Sequence, residues 1–506
     1  MSRLRLPLAL AATVLTVGGL FACTGIYAGR QVTEDGTIML GRTVDTPPWT
    51  SAHMYVVTPR VENQPGRIYR GAKNGFCWKL PPTTWKFVST PRIGTLRGGR
   101  MDSACVNERG LGITGTVTAS PSEAVRAADP FNRESGPGES SLPGLMAMCC
   151  SSAHEALDLL AETIGKCGHE NGEIYQIADK DEAWYVEVYS GHQWAAVRMP
   201  EDKVACWGNQ FMIRSFDPES PDSRCSSGLV SVPEKAGFLR RGPDGLPDLF
   251  QTYVGKLTDY SNYRTWFGHH VLAPETAGEY AETRPMPLFF TPAHKVGYRD
   301  MFELMRTRYE GTDRNPEANR TQKVRVIGTT KQATSHVVAI DPRMPEGFRG
   351  TIWASLANCE HSVFMPLNAA ITRTADAYAL DQTEGPFRYD SRIAAMEFRR
   401  LCALAERDRH WYGRGVRAFW RDREDRYLED YPKILGKLDA GALTEWTVRA
   451  AEEDLVSARR IFDELMWYVA ENNRIAGDGS GATTEPDAPF RPSAASELRA
   501  GNREDR

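Results

Sequence analysis

Cys23 stands directly after an apolar run, "LPLALAATVLTVGGLFA" (residues 6–22), which itself follows Arg3 and Arg5. A basic start, a short apolar stretch and a small residue at its end read as a secretory signal. The run is short for a spanning helix of about 20 residues, and Pro7 and the pair Gly18-Gly19 interrupt it. Removal of residues 1–22 would leave Cys23 first, with a thiol and a free α-amine on one residue. An α-amine with an ordinary pKa of about 7.7–8.0 is partly unprotonated near neutrality. It can take the thiol proton and later return it to a leaving amine, so one residue serves as nucleophile and general acid/base. The competing use of the same cysteine is a lipid anchor, because "LFAC" also reads as a lipobox.

The residues after Cys23 must bring partners to that sulfur. In "CTGIYAGRQVTEDGTIMLGRTVD" two strand-like runs flank "TEDGT", and Asp35-Gly36 is a hairpin signal. A returning strand would end with Arg42 and Asp45 beside Cys23. Arg42 would stabilise a thiolate by opposite charge, and Asp45 would hold an ammonium or a polar substrate group. GxxxxGK[ST], HExxH, GxSxG and EF-hand patterns do not occur. His269-His270 and Cys149-Cys150 lack a second pair at ligand spacing and read as structural residues. Nine cysteines remain besides Cys23, and their pairing is not readable.

Further strand-like runs are "GEIYQIAD", "EAWYVEVYS" and "HQWAAVRMP", then "RVIGTT", "TSHVVAID" and "GTIWASL". Short strands in blocks imply antiparallel sheets. The segment "SSAHEALDLLAETIGKCG" reads as a helix capped by Ser and stopped at Gly168, with Leu157, Leu160 and Ile164 on one face. Leu455, Ala458, Phe462, Leu465, Met466 and Val469 recur at helical spacing. Strands and helices in blocks rather than βαβ alternation favour α+β layering. The polar stretch 476–506 reads as a disordered tail. The chain of 506 residues carries a net charge of −4, which argues against a dedicated nucleic-acid binder. No later apolar stretch matches the first, so no membrane span is expected.

The start of this text resembles the N-terminal-nucleophile hydrolases, and within them the cysteine-dependent dipeptidase family. Its relatives, the conjugated bile acid hydrolases and penicillin V acylases, share a Cys-Thr start and a Gly-Arg-x-x-Asp strand end. "VNERGLGITGT" (106–116), "EIYQIADKDEAWYVEVYSGHQWAAVRMPEDKVACWGNQF" (173–211), "RVIGTTKQATSHVVAIDPRMP" and "GTIWASLANCEHSVFMPL" are similar to that family in the family's order. The resemblance runs from Cys23 to about Leu367 and more loosely to about Asn473, and implies a four-layer αββα sandwich with C-terminal helical additions; the domain is read as 23–475, after the signal peptide of 1–22. It implies Cys23 as nucleophile and, through its α-amine, base, with Arg42 and Asp45 beside it and Asn209 donating to the oxyanion. Asn107 and Arg325 are the substrate-binding candidates it suggests. The reaction implied is hydrolysis of dipeptides or small peptides through a thioester, without metal or organic cofactor. The leader reads as that of an exported, periplasmic or extracellular protein, with a lipid anchor at Cys23 and homo-oligomers left open. The alternatives are an amidase of the same superfamily acting on bile salt or penicillin-type amides, and a noncatalytic lipoprotein acylated at Cys23.

Overall fold

Runs of β-branched and aromatic residues bounded by Gly, Asp and Ser become strands. The computed structural model describes residues 23–46, 52–93, 99–318, 324–381, 388–472 and 488–493. The signal reading of 1–22 and most of the 476–506 tail lie outside these residues. The order begins β1 (Thr24–Ala28), β2 (Ile38–Asp45) and β3 (Val56–Thr58). Next come β4 (Val61–Glu62), β5 (Ile68–Arg70), β6 (Cys77–Lys79) and β7 (Thr83–Thr84), small ribbons that pair β4 with β7 and β5 with β6. Strands β8 (Phe87–Ile93), β9 (Arg100–Asn107) and β10 (Gly112–Thr118) precede helices α1 (Glu123–Ala128), α2 (Leu142–Cys149) and α3 (Ala153–Cys167). Then follow β11 (Glu173–Ala178), β12 (Ala183–Val188), β13 (Trp194–Arg198), β14 (Val204–Trp207) and β15 (Ser223–Cys225). Helices α4 (Ser231–Lys235), α5 (Leu249–Tyr253), α6 (Asp259–Leu272), α7 (Pro274–Ala277) and α8 (Tyr298–Arg306) lead to β16 (Gln332–Ile340), β17 (Gly350–Leu356) and β18 (Met365–Asn368). Helices α9 (Asp376–Ala379), α10 (Ala394–Ala405), α11 (Gly413–Leu435) and α12 (Ala440–Asn472) come last. None of the described helices is long and apolar enough to cross a membrane.

Two antiparallel sheets stack face to face. One has the order β14-β1-β2-β16-β17-β18, and the other β15-β13-β12-β11-β10-β9-β8-β3. Polar contacts bridge the gap between them: Thr114 Oγ1 meets His336 Nε2 at 2.7 Å, and Gln176 Nε2 donates to the Gly41 carbonyl at 3.1 Å. On the outer face of the eight-stranded sheet, Leu142, Met146, Leu157, Leu160 and Ile164 of α2 and α3 bury against Ile113, Tyr175, Ile177, Trp184 and Val186. Each such side chain contributes roughly 1.5–3 kcal/mol by leaving water. The other outer face is covered by α6 and α8, where Phe302 packs on Trp353 with ring centroids 5.8 Å apart. The result is the expected four-layer αββα sandwich, with α10–α12 adding helical mass.

Three local expectations change. β1 and β2 do pair, but through a longer connection of residues 29–37 rather than a two-residue loop. Asp35-Gly36 is a turn inside it: Gly36 has φ +76°, and the Asp35 side chain accepts from Thr37 N at 3.0 Å. The run "RVIGTT" is not a strand, because its backbone turns back on Thr307 through Gly328 N at 2.8 Å. Residues 488–493, part of the stretch read as a disordered tail, dock on the C-terminal helices. Phe490 is buried, its N–H bonds the Trp411 carbonyl at 2.9 Å, and Ser493 N bonds Glu464 at 2.9 Å. One buried aromatic and the bonds to Trp411 and Glu464 outweigh the polar composition there.

Candidate active site

Cys23 enters β1, which lies between β14 and β2, and the register sets Gly25 opposite both Arg42 and Trp207. A side chain at position 25 has no room. Its Cβ would lie 2.3 Å from the Trp207 ring, so only glycine lets the indole close over this strand. Arg42 therefore points into the space between the sheets, 1% exposed. Its Nη2 lies 3.3 Å from Cys23 Sγ and 2.9 Å from Glu139 Oε1, and its Nη1 donates to the Gly115 carbonyl. Three partners on a planar fork hold the guanidinium in one orientation.

Cys23 is itself buried. Burial pushes its thiol pKa up, and this outweighs the pull of Arg42 and of the Asp45 backbone N–H in the opposite direction. The sulfur accordingly rests as a thiol and needs a base before it can attack. Asp45 ends β2, with Oδ2 held by Arg325 and reached by Thr43 Oγ1 at 3.4 Å. Its Oδ1 is buried and has no partner among the described residues. Burial pushes the Asp45 carboxyl up despite the opposing pull of Arg325 and Arg264.

Asn209 follows β14. Its Nδ2 donates to the Thr118 carbonyl at 2.8 Å, and its Oδ1 accepts from Arg264 Nη2 at 2.8 Å. With a carbonyl on one side and a guanidinium on the other, the amide can face only one way, which leaves the second Nδ2–H free of these partners.

Arg264 is not singled out by its sequence surroundings, yet it ties this group together. From inside α6 its Nη1 donates to the Cys23 carbonyl at 2.7 Å and lies 3.2 Å from Thr24 Oγ1. Its Nε bonds the Tyr260 carbonyl at 3.1 Å. The available signal is that α6 is buried nearly all round while carrying Asn262, Arg264, Thr265 and His269, and buried polar groups require partners. Glu139, from the loop before α2, carries no motif and was equally silent.

The structure brings Cys23, Arg42, Asp45, Asn209 and Arg325 together. Asn107 it places elsewhere. Its Nδ2 donates to the carbonyls of Ala147 and Cys150, both at 2.8 Å, while its Oδ1 accepts from the N–H groups of Arg109 and Leu111, both at 3.0 Å. Every polar atom of that fully buried side chain serves the β9–β10 turn and its seat on α2, so nothing is left for a substrate.

Two other features lie outside this group. Glu360, His361 and Glu406 have ligand atoms within 4.8 Å of one another. Arg308 pairs with both glutamates and Arg409 with Glu360, so guanidinium charge already occupies the place a cation would need. A cavity of about 520 Å³ lies at the opposite end of β2 and β16, lined by Met39, Ala339, Trp353 and Tyr431, and contains none of the residues around Cys23.

Probable dipeptidase B of Streptococcus pyogenes serotype M1 is 27% identical over 378 residues, 72% of this chain and 75% of the relative. A probable dipeptidase of Salmonella dublin is 29% identical over 364 residues, 71% of this chain and 83% of the relative. A probable dipeptidase of Latilactobacillus sakei is 26% identical over 474 residues, 92% and 94% of the two chains. Among solved structures, a conjugated bile acid hydrolase from Clostridium perfringens aligns with 73% of this chain and 97% of its own, at 12% identity and a TM-score of 0.35. The pattern of peptidase family C69 matches residues 22–419, from the residue before the thiol to the second turn of α11, and the chain belongs to that family.

Proposed function

We propose that this protein is an exported cysteine dipeptidase, in which removal of residues 1–22 frees the α-amine of Cys23 to act as base for its own thiol. Membership of a peptidase family and relatives named as probable dipeptidases support the reaction class. The observation that carries the chemistry is the Arg42 guanidinium at 3.3 Å from a buried Cys23 Sγ at the head of β1. The amine takes the thiol proton, and the thiolate, stabilised by Arg42, attacks the scissile carbonyl carbon. The free Nδ2–H of Asn209 meets the oxyanion, an interaction whose loss typically costs about 2.7–4 kcal/mol. The ammonium then gives its proton to the departing amine, leaving a thioester. Water, activated by the same amine, hydrolyses the thioester and restores the thiol. The unpartnered Asp45 Oδ1 is suited to hold the ammonium between these two transfers.

The test is N-terminal sequencing and intact-mass analysis of the exported protein, with dipeptide hydrolysis by the wild type and by Cys23→Ser. The expected result is a chain starting at an unmodified Cys23, and at least about a 10³-fold loss of kcat/KM in a folded variant. Acyl mass on Cys23 would replace this reading with a lipoprotein, and unchanged hydrolysis by Cys23→Ser would remove the nucleophile. Activity on bile salt or penicillin-type amides, without activity on dipeptides, would move the substrate class instead.

A further inference from the structure

Among the described residues, two carboxylates with different surroundings, Asp45 and Glu139, act on Cys23. Asp45 is buried and its Oδ2 is held by Arg325, whereas the Glu139 side chain is 22% exposed. Glu139 is set there by its neighbours. The Glu170 side chain lies beneath Gly138, so close that a Cβ there would come within 2.3 Å of it, and reaches Ser140 Oγ at 3.5 Å. Glu170 in turn is paired with Lys73 at 3.2 Å. The turn 138–140 is thus clamped from below, and of Glu139, Glu170 and Glu173 only Glu139 keeps an open side.

One guanidinium nitrogen, Arg42 Nη2, touches both Cys23 Sγ at 3.3 Å and Glu139 Oε1 at 2.9 Å. Sulfur and carboxylate are therefore no more than about 6 Å apart. A substrate carbonyl carbon poised for attack sits about 3–3.5 Å from the sulfur. In an α-amino acyl group the amine nitrogen lies about 2.5 Å beyond that carbon, across two bonds. An ammonium–carboxylate bond adds about 2.8 Å. With tetrahedral bends at the joints, these three links span about 6 Å, close to the upper limit that the shared Arg42 nitrogen sets on the separation.

We infer that Glu139 is a specificity-determining residue that anchors the α-ammonium of the residue on the acyl side of the scissile bond. This rests on Cys23 being the nucleophile. The cleft would then require a peptide whose first residue is the one being released. A peptide acylated at that nitrogen, or extended by one residue, would present a neutral amide and a carbonyl oxygen to the Glu139 carboxylate, leaving it without a full partner.

The experiment compares kcat/KM for alanyl-alanine, N-acetylalanyl-alanine and lactyl-alanine (hydroxyl in place of ammonium) with the wild type, Glu139→Gln and Glu139→Asp. The wild type should favour the free amine over both analogues by about 100-fold or more. Glu139→Gln should cut that preference at least tenfold by losing more activity on the free amine than on either analogue, and Glu139→Asp should keep most of it. A glutamate that merely orients Arg42 predicts otherwise: all three substrates would fall together and the preference would stay, which overturns the inference. Equal hydrolysis of free and blocked substrates by the wild type overturns it without any variant, and leaves Cys23 chemistry standing. Failure of the wild type on every one of them sinks the dipeptidase reading itself. Thermal unfolding of each variant identifies any loss that comes from misfolding.

Discussion

Helices α3 and α6 are nearly equal in length, 15 and 14 residues, and each covers the outer face of a sheet. α3 buries one stripe, with Ala156, Leu157, Leu160 and Ile164 inward and the Glu162–Lys166 pair in solvent. α6 is buried almost all round and uses polar side chains as fasteners. Asn262 Nδ2 reaches the carbonyls of Glu282 and Arg284 at 3.2 and 3.0 Å, Arg264 holds Cys23 and Asn209, and His269 Nε2 meets the Pro287 carbonyl at 3.1 Å. The same architectural position therefore does two jobs. α3 supplies apolar area to a core, whereas α6 positions the chain segments of the proposed site, and it does so at the cost of desolvating its polar groups.

The sharpest way to break this contrast is Arg264→Met. The Cys23 carbonyl and the Asn209 amide lose their common donor, and kcat on a dipeptide should fall about 100-fold, because small displacements of reacting groups cost that much. A change confined to KM would show that Arg264 only binds. Leu160→Ala on α3 should do the reverse, costing about 2–5 kcal/mol in denaturant unfolding while the folded enzyme keeps its kcat. Loss of activity in the folded Leu160→Ala protein would erase the distinction between the two helices.

A pH titration separates them further. Burial holds the His269 imidazole down to about 4, against the bonding of the Pro287 carbonyl, which raises it. The unfolded chain binds a proton at this residue below about pH 6.5 while the folded one does not, so stability is lost as pH falls from 6.5 toward 4. The loss is on the order of 3 kcal/mol by pH 4. His269→Gln should flatten the unfolding free energy over that window relative to the wild type; an identical pH slope in both proteins would contradict it. The smallest effect belongs to the start of α3, where Ser152 Oγ accepts from Glu155 N at 3.2 Å. Ser152→Ala should cost about 1 kcal/mol and leave the hydrolytic rate alone.

Much of α3 was legible beforehand because its Ser cap, its 3.6-residue stripe and the stop at Gly168, with φ +67°, are local features. The strands β11, β12 and β13 were legible for the same reason, with turns at residues 179–181 and 190–191. α6 was not. A helix buried nearly all round has no stripe to display, and the partners of Arg264 lie far away in the chain, 55 residues away for Asn209 and 241 for Cys23. Asn107 shows the opposite failure, since an Asn in a hairpin turn has the same sequence whether its amide meets a ligand or, as here, four backbone groups.

By itself the sequence determined where most of the strands it marked and the helix α3 run, and it placed a cysteine, an arginine and an aspartate on neighbouring strands, because period, capping and short-range pairing are written in adjacent residues. Only the tertiary structure decided that Arg264 and Glu139 join them and that Asn107 does not. Those choices depend on which distant groups arrive within hydrogen-bond range once two sheets and their helices close, and on the cost of leaving any of them buried without a partner.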